Sequence, residues 1–310
     1  MNTITDERTQ ALQLRQTIHE MLLAVAPERT EELQHYWDEF SPQFNILEDD
    51  GPDGPVVLDA GGYVNIRFNH RIMRLFWLSS FALWEGYSAY HHYVETEQTD
   101  LIRFMEIVDC FEATRIAVDV DTVPWPTWLP LPGDLVDPEP GNPARVGGEL
   151  AIFGVSWAVL HELQHLIHQQ QGTASTWDDV DACRHEELSC DAFATNILLE
   201  RIHEYPVDSA HDAAAVLAKR QTGICCALFA MTLLARDNWG PGTRHPAVQE
   251  RIDHVFGLMD VRQLSKAAGI IAISAFTTLK MAYPSAPDPG ATIGVVAMRE
   301  DWSPADDLFE

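Results

Sequence analysis

The sequence predicts a mainly α-helical fold with a small β element, and three observations carry that prediction. Long proline-free stretches with apolar residues at helical spacing recur along the chain, as at 70–95, 148–172 and 210–236. Only one stretch, 56–68, has the look of two short strands around a Gly-Gly turn. Proline and glycine collect in a few breaks, chiefly 41–55, 121–147 and the tail from Pro284.

Taken in order, residues 4–26 and 29–40 read as two amphipathic helices split at Pro27. Residues 41–55, with Pro42, Pro52 and Pro55, read as a polar loop. Val56–Phe68 reads as a hairpin about Gly61-Gly62. The helix at 70–95 carries Trp77, Phe81, Trp84 and Tyr87 at helical spacing, the pattern of a core face. Another helix follows at 99–118. Residues 121–147 hold seven prolines and read as non-helical, either a linker or a segment lining a cleft with Trp125 and Trp128 as exposed anchors. Helices are expected at 148–172, stopped near Gly172, and at 185–203, stopped by Pro206. Further helices are expected at 210–236, 246–258 and 260–280, with a short strand at 293–297. The expected organisation is an N-terminal mainly helical region (1–120), a Pro-rich connector (121–147) and a C-terminal helical region (148–310), together one compact unit.

Composition narrows the functional classes. The chain has 310 residues and is 46% hydrophobic, enough for a large core. A formal charge of −27 argues against nucleic acid and against acidic membrane surfaces as partners. Five cysteines without framework spacing suggest reduced thiols and a cytoplasmic location. The polar, acidic start has no signal-peptide character, and no window reaches 18 uninterrupted apolar residues, so no membrane span is expected.

The chemistry concentrates between residues 148 and 191. His161-Glu162-Leu163-Gln164-His165 is an H-E-x-x-H motif on a predicted helix of about six turns. Residues i and i+4 lie on one helix face, so His161 and His165 can share one metal ion, with Glu162 beside it as general base. Glu187, 22 positions after His165, can complete a His2Glu zinc site that leaves the fourth position to water. Asp191, one helical turn further, can accept the free ring N–H of a ligand imidazole. Glu186 is the rival to Glu187, but only Glu187 leaves Asp191 at that spacing. His168 is too far along the helix to join, because it lies about 10 Å from His161. Cys183 and Cys190 flank Glu187 and could be read as metal thiolates, but a His2Glu set is already complete, which favours reading them as packing residues.

H-E-x-x-H followed by E-x-x-x-D resembles the gluzincin metallopeptidases. The run from Glu187 to Leu199 resembles the second-ligand helix of the ImmA/IrrE peptidases and HtpX-type proteases. Arg244-His245-Pro246 and the following Arg251-Ile252 resemble the H-P-x-x-x-x-R-I segment of HtpX-type enzymes, although those are membrane-embedded and this chain has no such span. A chain of this length with these pieces is most similar to the Lit-type phage-exclusion peptidases. The resemblance implies a zincin-like helical core, a Zn2+ cofactor and a cytoplasmic endopeptidase that cleaves a protein substrate. Phage defence, with an activating partner or trigger, is the expected setting. It also makes His245 a candidate donor to the oxyanion, against the plainer role of starting a helix at Pro246. Two other readings remain open. Glu162-x-x-His165 and Glu32-x-x-His35 are also the paired motifs of a di-iron carboxylate bundle, and a zinc ion could stabilise a non-catalytic interaction protein.

Overall fold

The computed structural model describes residues 3–47, 56–61, 64–132, 142–205, 212–259 and 264–290. Two helices, α1 (Thr3–Val25) and α2 (Thr30–Phe40), open the chain and are joined by a 3-10 turn at Pro27–Arg29. Pro27 forces the break because it can begin a helical turn but cannot sit inside one. Ser41 ends α2 in the left-handed region, φ 43°, with its N–H on the Trp37 carbonyl.

Strand β1 (Gln43–Leu47) follows where the sequence predicts loop. It pairs in parallel with β3 (Asn65–Asn69), and β2 (Leu58–Ala60) pairs antiparallel with the other side of β3. The hairpin partners are therefore as expected, and β1 is the addition. Its strand character comes from a partner some twenty residues away, which local composition does not reveal. Phe44, Ile66 and Phe68 turn one face of this sheet into the core, while β2 is left at an edge.

Helix α3 (His70–Thr96) is the central rod, packed against α4 (Ile102–Ile116), α5 (Pro143–Gln171), α7 (Ala213–Leu234) and α9 (Lys266–Ala282). Asn69 caps it by accepting from the Ile72 N–H. Two glycines permit close crossings. A Cβ on Gly86 would lie 3.1 Å from the Ala275 backbone of α9. One on Gly223 of α7 would lie 2.2 Å from the Phe153 Cβ of α5. The remaining helices are α6 (Val180–Leu199) and α8 (Val248–Leu258), with α6 lying between α5 and α8. One hydrophobic cluster runs from Ile18 through the sheet and all of these helices to Ala286.

Helices α5 and α7 are long and apolar enough to cross a membrane by length and composition, but both are mostly buried inside the fold. Several boundaries depart from the sequence reading: α9 starts at Lys266 rather than 260, α6 ends at Leu199 rather than 203, and α5 and α6 both start early. α5 begins at Pro143, inside the predicted connector, because Asn142 accepts from the Ala144 N–H and proline fits the first turn. α6 begins at Val180, five residues early, because Asp179 caps it through the Ala182 N–H. Trp125 and Trp128 are half-buried anchors of the connector itself. Trp125 donates to the Leu129 carbonyl and Trp128 to Glu106, with Arg103 over its ring at 4.0 Å. Gly62, Pro206 and the expected strand at 293–297 lie outside the described residues.

Candidate active site

The two histidines of the H-E-x-x-H motif stand one turn apart near the C-terminal end of α5, as the helical period requires. Their ring centroids are 5.0 Å apart and nearly perpendicular. The surroundings are dry: His161, Glu162, Glu187, Cys190 and Asp191 are all buried. Burial follows from packing, since α5 has no polar face and α6 closes over it. Trp157 ties the two helices by donating to Thr195 at 3.0 Å.

Each imidazole is oriented by its own carboxylate. His161 Nδ1 lies 2.9 Å from Asp191 Oδ1, and His165 Nδ1 lies 2.7 Å from Glu186 Oε1. These bonds turn both Nε2 atoms the same way, towards Glu187. His161 Nε2 is 3.4 Å from Glu187 Oε2, and His165 Nε2 is 3.5 Å from Glu187 Oε1. Two ligand atoms about 2.1 Å from one tetrahedral ion are separated by about 3.4 Å, and each Nε2 stands at about that distance from a different oxygen of Glu187. His161, His165 and Cys190 also form a buried group whose ligand atoms lie within 4.8 Å of one another. The site thus has two histidines and a choice of third donor.

Electrostatics favour a positive charge at the same point. Burial opposes the charged imidazoles, yet Asp191 and Glu187 around His161 raise its basicity. Cys190, Glu186 and Glu187 do the same for His165. Burial also pushes the Glu187 carboxyl up, but hydrogen bonds from His161, His165 and His245 hold it well below the carboxylate range. Asp191 is held low against burial by Arg251 and His161. Burial raises Glu162, with His161 and His165 pulling it back. The Cys190 thiol is pushed up to about 11 by burial, despite His165 beside it. That makes Cys190 a reluctant thiolate, whereas Glu187 is already anionic and spans both Nε2 atoms.

Glu162 points the other way, to the sheet. Its Oε2 accepts the Ala60 N–H at 2.6 Å, an outward-facing group of the edge strand β2. His245, on the loop before α8, is mostly exposed, and its Nδ1 lies 3.1 Å from Glu187 Oε1. The residues singled out from sequence, His161, Glu162, His165, Glu187, Asp191 and His245, are therefore brought to one place. His168 is not among them; it is held by Gln164, Thr173 and Ser189. Cys183 donates to the Thr176 carbonyl. His35 is an exposed partner of Glu39, and Glu32 is bound by Arg29, so neither contributes to this centre.

Three contacts escape the sequence reading. Glu186 orients His165; the requirement that each candidate ligand imidazole find an Nδ1 acceptor was the available signal. Arg251 clasps Asp191 through two nitrogens, at 2.8 and 2.5 Å, and stands 3.6 Å from Glu187. A buried carboxylate needs a cation, but nothing local says which one. The Ala60 contact is made by the backbone and leaves no trace in residue type.

Compared with known proteins, the chain matches no curated protein and no solved structure. A family model described as Peptidase U49 matches residues 66–271, more than half of the chain and inclusive of α3, α5, α6 and α8. The chain therefore belongs to the peptidase family U49.

Proposed function

We propose that this peptidase is a zinc-dependent endopeptidase of gluzincin type, with His161, His165 and Glu187 as the metal ligands. The observation that carries the reading is the Glu187 carboxylate, which reaches across both Nε2 atoms at separations suited to one tetrahedral ion. Cys190 is the weaker third donor because its buried thiol holds its proton. A zinc ion bound there supplies a water of lowered pKa and polarises the scissile carbonyl.

The chain's own residues do the rest. Glu162, with one oxygen fixed by the Ala60 N–H, takes the proton of the attacking water and passes it to the leaving amine. His245, exposed at the rim and within reach of Glu187, donates to the carbonyl oxygen as negative charge develops. Asp191 and Glu186 hold the two Nδ1 atoms so that both Nε2 atoms face Glu187, the orientation in which they would hold a metal, and Arg251 keeps Asp191 ionised.

The resemblance to Lit-type enzymes adds a setting: cleavage of a host or regulatory protein in the cytoplasm during phage defence. The test is proteomic comparison of protein termini in cells expressing the wild type or Glu162→Gln, alongside zinc-loaded protein and denatured casein in vitro. New termini that depend on Glu162, with equal zinc in both proteins, support the reading. Equal cleavage by both proteins overturns it.

A further inference from the structure

Trp177 is 78% exposed on the loop between α5 and α6, an unusual place for the largest apolar side chain. Its ring carries the Arg244 guanidinium at 3.9 Å. Among the described residues, Arg244 has no hydrogen bond or ion pair, although the chain carries a formal charge of −27. The aromatic face is thus what holds this cation. Arg244 directly precedes His245, and the same loop is tied at a second point, where Arg184 of α6 donates to the Gly242 carbonyl at 3.0 Å. The loop closes on itself, with the Gly242 N–H on the His245 carbonyl at 3.0 Å. At its base, the Val248 N–H bonds to the Trp239 carbonyl, also at 3.0 Å. Both ties start from the α5–α6 side of the site: Ser175, two residues before Trp177, bonds Glu186, and Arg184 lies one turn before Glu187.

We propose that Trp177 and Arg184 are positioning residues that pin the 239–247 loop across the mouth of the site, so that His245 stays against Glu187. This rests on the role given to His245 above, yet the pinning itself can be read without any catalysis. The argument is one of reach. His245 is mostly exposed, and its one contact with the site, 3.1 Å to Glu187, cannot hold a loop that contains Gly240 and Gly242. An exposed side chain acts on a transition state only if its geometry is set beforehand. The Arg244 cation on Trp177 and the Arg184 donor on the Gly242 carbonyl set it at two points just before His245, one by the ring face and the other by a directed hydrogen bond.

The experiment uses the full-length protein and follows amide hydrogen exchange over 239–247, zinc content and casein hydrolysis. Trp177→Leu removes the ring and should speed exchange of that segment about 2- to 5-fold. Arg184→Met should speed it about 10-fold, and the double variant by the product of the two. Trp177→Phe keeps an aromatic face and should stay within about twofold of wild type. Turnover should fall in the same order, with KM for casein and zinc content unchanged. Unchanged exchange in Trp177→Leu overturns the proposal, as does equal acceleration by Trp177→Phe and Trp177→Leu. Faster exchange with undiminished turnover in an active enzyme also overturns it. If the wild type fails to cleave casein, the peptidase assignment is in question, while the exchange data still decide whether the loop is pinned.

Discussion

Replacing Asp191 separates what stabilises the fold from what prepares the proposed metal site. Asp191 is fully buried and serves two partners, His161 Nδ1 at 2.9 Å and the Arg251 guanidinium through both carboxylate oxygens. Asp191→Ala leaves Arg251 buried without its main counter-ion. Breaking one side of a buried pair costs about 3–5 kcal/mol. The value should fall near the lower end, because Glu187 remains 3.6 Å from Arg251. The same change frees the His161 ring to rotate and to hold its proton on either nitrogen, which should weaken zinc binding by roughly 10- to 100-fold. Adding Arg251→Met removes the stranded charge. The double variant should recover stability to within about 1 kcal/mol of wild type, since an apolar replacement of a buried pair is close to neutral. It should recover none of the zinc affinity. Urea denaturation of the metal-free proteins reads the first quantity, and competition with a chromophoric chelator reads the second. Recovery of zinc affinity along with stability would refute the reasoning, because Asp191 would then act only by neutralising Arg251.

The remaining expectations are simpler. His245→Ala should lower turnover by roughly 100-fold with zinc content unchanged, measured by kinetics and metal analysis on one preparation; a small change would leave His245 as a helix-start residue only. Cys190→Ala should keep one zinc per chain, and loss of zinc in that variant would make the thiol, not Glu187, the third donor. Glu28→Ala should cost about 3–5 kcal/mol in urea denaturation, because it strands Arg220, whose side chain is buried against Glu28 and the Leu198 carbonyl. A cost below about 1 kcal/mol would mean that water reaches the guanidinium in the variant.

Helix α5 and its motif were legible because both the helical period and the i, i+4 spacing of His161 and His165 are local. The same holds for α3, α7 and the β2–β3 hairpin, whose signals lie within each segment. What sequence could not supply depended on partners remote in the chain. β1 is a strand only because β3 offers it a parallel edge. The early starts of α5 and α6 are the exception: their caps, Asn142 and Asp179, are local, and the proline-rich or acidic composition around them masked both. At the site, residue types named the possible donors, but only the packing of α6 on α5 decided that Glu187 spans the two imidazoles while Glu186 turns to His165. Arg251 reaches Asp191 from 60 positions away, and Ala60 meets Glu162 from 102 positions away, through a backbone group that every residue but proline possesses. Local periodicity determined which helices form; the crossing of those elements decided which charges meet, because Coulomb and hydrogen-bond energies depend on separation in space and not on separation along the chain.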